Sequence, residues 1–194
     1  MPKILAGKYQ LMQTLGRGAS CKVKIANKLS TGEIVAIKII LNSVDEKLEE
    51  IFMNEVSAMD ILKHKNVINY IEYGTGEIVK SEDKIVKKVK KVNFIVLELA
   101  QEGEMFDVIS QTGSFNESMA RYFFIQFMSG LEFCHAKGVI HRDLSLKNLL
   151  LDQFYNIKIA DFGLNGPFYV LVNNGNLNTK LGTPSYMAPE ILLN

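Results

Sequence analysis

The amino-acid sequence predicts an α+β chain in two parts: strands with one helix first, then mainly helices. Three observations carry that expectation. Residues 9 to 41 hold three short strand-like runs separated by turn residues. Residues 45 to 62 and 116 to 138 carry apolar positions at helical spacing. Between these parts, Gln101-Glu102-Gly103 interrupts the chain like a hinge.

Composition narrows the class. The 194 residues suffice for one ordinary domain or two small lobes, and 47% hydrophobic content supplies a core. A net charge of +1, from 22 Lys+Arg against 21 Asp+Glu, gives no global field toward a polyanion. Neither nucleic acid nor a membrane is therefore expected as a partner. Cys21 and Cys134 stand far apart without metal-ligand spacing, which favours a reduced, cytoplasmic setting, with the nucleus as a further possibility. No apolar run approaches a signal peptide or a membrane span.

In chain order, Tyr9 to Leu15, Lys22 to Lys28 and Ile34 to Ile40 are the three strands, the last two joined by Ser30-Thr31-Gly32-Glu33. The turn Gly16-Arg17-Gly18-Ala19-Ser20-Cys21 lets a backbone approach a phosphate without an intervening Cβ, or is simply a turn. No Gly-Lys-Ser/Thr follows it, and a strand rather than a helix comes next, so neither a P-loop nor a dinucleotide fingerprint fits. Lys38 lies inside the apolar run Val35 to Ile40. Left alone it would be an outward-facing strand residue. From Asp45 to Leu62 apolar residues fall at 48, 51, 52, 56, 59 and 62, with Ser43 or Asp45 as N-cap, and Glu55 shares that stripe. A carboxylate on an apolar face needs a cation, and Lys38 is the candidate; otherwise Glu55 reaches solvent from the stripe's edge.

Asn66 to Tyr73 is a short strand-like segment, ended by Gly74-Thr75-Gly76. Residues 80 to 91 hold six lysines with Glu82 and Asp83, which reads as a solvated loop or hairpin, or else a phosphate-binding patch. Phe94 to Ala100 is a buried strand. Glu104 to Ser110 begins a short helix, and Asn116 caps a longer one stopping at Gly138. Its wide apolar face, including Met128 and several phenylalanines, predicts a central core helix. His135 is expected to be a satisfied helix-end histidine.

The richest stretch runs from His141 to Gly163. It places Asp143, Lys147 and Asn148 within six residues, then Asp161-Phe162-Gly163 thirteen residues beyond Asn148. Leu149-Leu150-Leu151 and Ile157-Lys158-Ile159-Ala160 flank Asp-Gln-Phe-Tyr-Asn, predicting a hairpin with two polar clusters at its open end. A divalent cation and a phosphate fit such a site.

The order of these features resembles the eukaryotic protein kinases from about Tyr9 onward. Gly-x-Gly in a strand-turn-strand, Val-Ala-Ile-Lys, a helix with a buried Glu, a hinge, His-Arg-Asp-x(4)-Asn, Asp-Phe-Gly and Ala-Pro-Glu all occur in that family's order. Leu-Glu-Leu-Ala, Gly-Glu-Met-Phe-Asp and Gly-Thr-Pro-Ser-Tyr-Met-Ala-Pro-Glu look most like the calmodulin-dependent and AMP-activated group. The resemblance implies a two-lobed protein-kinase-like fold, with residues 9–100 as the N-lobe and 101–194 as a partial C-lobe.

It further implies ATP and Mg²⁺ as cofactors and Ser/Thr hydroxyls of proteins as substrates. Lys38, positioned by Glu55, would hold the α- and β-phosphates, Asp143 would orient the substrate hydroxyl, and Asn148 and Asp161 would hold Mg²⁺. Leu15, Gly16, Gly18, Val23, Ala36 and Leu150 would surround the nucleotide. Leu97 would be the gatekeeper, the Glu98 and Ala100 backbone would bond the purine, and Glu104 would meet ribose or a basic substrate residue. Met59, Ile71, His141 and Phe162 would form the spine coupling the lobes. Thr179 would accept an activating phosphate from an upstream kinase and pair with Arg142. Thr183 resembles the Ser/Thr-kinase substrate loop.

Three departures qualify the resemblance. Cys21 replaces the third glycine of the phosphate-covering loop, and Ser20 replaces the usual aromatic at its tip. Ser145 stands where Ser/Thr kinases carry a phosphate-contacting lysine; Lys147, where receptor tyrosine kinases place an arginine, is the candidate replacement. The sequence ends at Asn194, four residues after Glu190, so the C-lobe is expected to be incomplete, with exposed apolar surface, poor solubility and little activity. The rival reading is a pseudokinase that serves as a nucleotide-binding or regulatory module.

Overall fold

The computed structural model describes residues 2–18, 21–40, 46–82, 85–163, 166–167, 183–189 and 192, without the side chains of 46–51, 80–90 and 166–167. The chain divides into two compact units: Met1–Phe52 with Tyr70–Leu99, and Met53–Asn69 with Ala100–Asn194.

The first unit is a closed antiparallel barrel of six strands. These are β1 (Lys3–Leu5), β2 (Tyr9–Arg17), β3 (Cys21–Lys28), β4 (Ile34–Ile40), β5 (Tyr70–Glu82) and β6 (Ile85–Glu98), in the order β1-β2-β3-β4-β6-β5. Closure depends on β1, which pairs with both β2 and β5. Three residues carry too little periodicity to announce a strand, so β1 is absent from the sequence reading. Its fully buried Leu5 nevertheless joins the core with Tyr9, Leu11, Ala26, Val35, Ile37, Ile39, Val92, Phe94 and Val96. Each large aliphatic buried this way contributes about 1.5–3 kcal/mol.

Of the segment Asn66 to Tyr73, only Tyr70 onward is strand, and it does not end at Gly74-Thr75-Gly76: it begins β5 of one long hairpin, β5–β6, continuous through both glycines. The glycines answer a steric demand rather than a turn. A Cβ at Gly74 would lie 3.0 Å from the Phe94 ring, and one at Gly76 would lie 2.6 Å from the Ala6 Cβ. Residues 80–82 and 85–91 lie in the two strands of this hairpin.

The second unit holds most of the helical content. The helix α1 (Glu46–Ile61) straddles the division of the chain, and its proposed caps at Ser43 and Asp45 lie outside the described residues. After β7 (Gly103–Glu104) come α2 (Met105–Thr112) and α3 (Glu117–Ala136), then β8 (Val139–Ile140), β9 (Leu149–Leu151), β10 (Ile157–Ile159), β11 (Gly166–Pro167) and a 3-10 turn at Pro184–Tyr186. Asn116 caps α3 as the sequence indicates, its Oδ1 accepting from the Met119 amide at 2.9 Å. Gly138 follows the helix with φ 77°.

The β9–β10 hairpin packs against α3 at Gly130, where an added Cβ would meet Asn66 O at 2.8 Å and Ile159 Cδ1 at 2.9 Å. Asn66 and Gln126 brace this junction. Gln126 Oε1 accepts from the Ile157 amide at 3.0 Å and from Asn66 Nδ2 at 3.1 Å, while Asn66 Nδ2 also donates to Ile157 O at 3.0 Å.

One expectation about α3 is corrected. Its apolar face, Met128 and the phenylalanines included, was expected to pack in the core, yet Met119, Phe124 and Met128 are exposed, as are Tyr122 and Ile125, Phe124 and Ile125 by 60% and 61%. Only the face bearing Gly130 and Cys134 is buried. A wide apolar stripe states how much surface a helix can bury, not how much of it is covered.

Candidate active site

In the first unit, strand register collects several of the sequence-selected residues. Ala36 pairs with Ile25 and Leu97, and Lys38 pairs with Val23 and Ile95. Directly opposed residues share a face, and alternate residues along a strand do too. Val23, Ala36, Lys38 and Leu97 therefore lie on one face of the sheet. Their intervening neighbours Val35, Ile37, Ile39 and Val96 fill the barrel core on the other. Lys38 is thus on the non-core face, which accounts for a lysine inside an apolar run.

Leu15, at the end of β2, is 49% exposed, an apolar side chain open to a flat ligand. Nothing lies within 4 Å of a Cβ added at Gly16, whereas one at Gly18 would touch Cys21 Sγ at 3.0 Å. The Gly18 amide donates to Cys21 O at 3.0 Å. Cys21 thus closes this turn, and its side chain occupies the space beside Gly18. Ser20 lies outside the described residues.

The second unit builds the polar centre. Register shifts no residue from its expected place: β9 and β10 pair antiparallel from Leu149↔Ile159 to Leu151↔Ile157. The far turn is closed by Asp152, whose Oδ1 accepts from the Phe154 and Asn156 amides at 2.9 Å each. At the open end the Ala160 amide donates to Asn148 O at 2.9 Å, bringing residue 148 beside the start of Asp161-Phe162-Gly163. Asn148 Nδ2 donates to Asp143 O at 2.7 Å and to Asp143 Oδ2 at 3.3 Å. Those bonds commit the amide nitrogen and leave the amide oxygen as an acceptor.

Asp143 is held from a second side. The Thr183 amide and the Thr183 hydroxyl both donate to its Oδ1 at 2.8 Å. Sequence reading placed Thr183 in a substrate loop but missed this bond, because no local pattern links residues 40 apart. Arg142 and Asp161 adopt left-handed φ values of 65° and 64°, uncommon for residues with a side chain. Such strain concentrates at functional positions.

His141 anchors the loop from beneath. It is 1% exposed, and its ring lies 4.8 Å from that of Phe162, so two of the four proposed spine residues are in contact. Nδ1 accepts the Asp143 amide at 3.3 Å, which leaves Nε2 as the donor to Ala160 O at 2.8 Å. Burial holds the imidazole below its ordinary pKa, against the opposing pull of Ala160 O and the two aspartates.

Around the rim, β7 pairs with β9 so that Glu104 stands opposite Leu150. Burial pushes the Glu104 carboxyl up, Asp107 adds to this, and Lys147 opposes it. Lys147 is exposed, with its ammonium 5.2 Å from the Phe106 ring centre. The Phe106 amide donates to Leu146 O at 3.1 Å, tying α2 to the same loop. Glu55 is 2% exposed, which excludes the alternative of a stripe-edge carboxylate in water. Thr179 lies outside the described residues.

The family described as protein kinase domain matches residues 9–194. The chain belongs to that family. This kinase chain is 40% identical to CBL-interacting protein kinase 32 of Oryza sativa subsp. japonica over 188 residues, 96% of the chain and 40% of the relative. It is equally similar to CBL-interacting serine/threonine-protein kinase 3 of Arabidopsis thaliana, 40% identical with the same coverage. With CBL-interacting serine/threonine-protein kinase 17 of the same plant it shares 41% identity over 190 residues, 97% of the chain and 41% of the relative. The kinase chain therefore spans about two-fifths of the length of these relatives. The strand-rich unit and the mainly helical unit agree with the α+β kinase fold expected from sequence.

The oxygen donors at the polar centre fit the family's metal. Mg²⁺ takes carboxylate and amide oxygens, with the remaining positions filled by waters and phosphates. Asp161 and the Asn148 amide oxygen supply such a set without soft ligands.

Proposed function

We propose that the chain is the catalytic domain of an ATP- and Mg²⁺-dependent protein serine/threonine kinase. The observation that carries this reading is the joint fixing of Asp143, its carboxylate held by Thr183 and Asn148. A carboxylate fixed from two sides orients a hydroxyl donor, and phosphoryl transfer depends mainly on positioning and charge stabilisation.

In this reading Asp143 orients the substrate hydroxyl and takes up its proton. Asn148 and Asp161 hold Mg²⁺, which when bound neutralises phosphate charge. Lys38, oriented by Glu55, contacts the α- and β-phosphates. Leu15, Val23, Ala36 and Leu150 enclose the adenine with Gly16 and Gly18 over the phosphates, and Leu97, Glu98, Ala100 and Glu104 border the base and ribose. Thr179 accepts a regulatory phosphate from an upstream kinase and Arg142 pairs with it. Protein partners are proposed by analogy with relatives whose names describe them as CBL-interacting.

Lys147 is proposed to supply the cation that Ser145 lacks. Its ammonium lies over the Phe106 ring, a contact worth about 0.5–1 kcal/mol at an exposed site.

The test is transfer of labelled phosphate from MgATP to a Ser/Thr peptide mixture. Asp143→Asn should lower the rate by about 10²–10⁴-fold, the range general-base groups contribute. Wild-type and variant rates alike at background would instead favour the pseudokinase reading, which Ser145 and Cys21 motivate. In the same assay Lys147→Ala should slow transfer and Ser145→Lys should restore it; an unchanged rate in Lys147→Ala ends the compensation idea.

A further inference from the structure

The long β5–β6 hairpin is not used by the proposed chemistry. Its two strands are 13 and 14 residues long, but β4 accompanies β6 only from Glu98 to Asn93. From Val92 to Ile85, β6 pairs with β5 alone, so among the described residues its other edge is open. At about 3.3 Å per residue that edge is roughly 26 Å long.

The sequence along this edge is Ile85-Val86-Lys87-Lys88-Val89-Lys90-Lys91-Val92. The register places Lys87 opposite Lys80, Lys88 opposite Val79, Lys90 opposite Ile78 and Lys91 opposite Glu77, with a bulge between Ile78 and Val79 absorbing Val89. Lys80 is also opposite Lys3 of β1, so three lysines form one row across three strands. Like charges directly opposed destabilise a sheet. Residues 80–91 hold six lysines against Glu82 and Asp83, so the rest of a chain of net charge +1 is acidic on balance. In sequence, the excess of positive charge falls on this hairpin.

We propose that the open β6 edge receives an extended acidic segment of a partner protein, added as a further antiparallel or parallel strand. Three features select that occupant. The register alternates lysines between the two faces of the ribbon, whereas a flat anionic membrane meets one face. Among the described residues no strand pairs with this edge, whose backbone offers amide donors and carbonyl acceptors that a peptide strand satisfies in a ladder and a lipid or phosphate backbone does not. A second copy of this edge would set lysines against lysines, the arrangement by which edge strands resist self-association. Carboxylates along an added strand would relieve the repulsion in the lysine row.

The probe is a fluorescent peptide of repeating Glu-Glu-Val, which as a strand presents carboxylates on both faces, titrated into the 194-residue protein and followed by anisotropy. Saturable binding that weakens with salt is expected. An analogue N-methylated at alternate residues has the same charge but cannot complete a ladder, and should bind about tenfold more weakly or worse. Lys87→Gln, Lys88→Gln, Lys90→Gln and Lys91→Gln together should weaken the parent peptide by a similar factor, with circular dichroism verifying the fold. The analogue comparison uses the wild-type protein, so it stands even where the fourfold variant misfolds. Absence of saturable binding overturns the proposal, as does equal affinity for the N-methylated analogue. Tight capture of phosphatidylserine vesicles or duplex RNA that the peptide fails to displace overturns it as well.

Discussion

His141 shows how one side chain can set both shape and pH response. Its tautomer is dictated by an amide on one nitrogen and a carbonyl on the other. Because burial depresses its folded pKa, the unfolded chain binds the extra proton first as pH falls. Stability from this group is therefore complete above the ordinary histidine value and declines as pH drops below it toward the folded value. Urea midpoints measured at pH 7.5 and 5.5 should fall for wild type by more than for His141→Asn. A steeper loss in the variant would contradict the neutral assignment. His64 has a pKa lowered in the same direction, mainly by burial, so a residual slope is expected in the variant. Much of the candidate site was legible in sequence at this scale, since Asp143 and Asn148 precede and Asp161 follows a single short hairpin, at its open end. The Thr183 bonds to Asp143 were not, because they join chain segments with no shared periodicity.

At the scale of elements, the β9–β10 hairpin depends on α3 for satisfaction of its backbone. Gln126 Oε1 serves both the Ile157 amide and Asn66 Nδ2, so Gln126→Leu leaves two donors without that acceptor. A cost of about 1–3 kcal/mol is expected, read as a lower thermal midpoint. An unchanged midpoint would mean that water replaces the amide at no cost. Helix boundaries were largely recoverable from capping chemistry, as Asn116 and Gly138 show. Strand boundaries were less so. The Gly74 and Gly76 pair mimics a turn locally, while its real cause is the Phe94 ring and the Ala6 Cβ, both contributed from elsewhere in the chain.

For the whole molecule, the exposed face of α3 carries the main consequence. Phe124 and Ile125 present contiguous apolar surface, the kind that mediates association. Phe124→Lys with Ile125→Glu should raise the soluble fraction and reduce light scattering on heating. Because both side chains are mostly in water, the thermal midpoint should move by no more than surface substitutions usually cause, about ±0.5 kcal/mol in stability. A large drop in the midpoint would show that the face is buried within the folded molecule. Hydrophobic periodicity alone had implied a buried helix; coverage depends on what packs against a stripe, which residue spacing does not encode.

The left-handed backbone at Asp161 has an evolutionary corollary. Among the residues that tolerate that conformation are Asn and Gly, and a single base change in an Asp codon reaches either one. Most other neighbours in the genetic code carry a side chain that strains the turn. Drift at this codon therefore has an easy exit that removes the carboxylate proposed to hold Mg²⁺ while sparing the fold. Descendants that lose the chemistry and keep the scaffold lie one mutational step away.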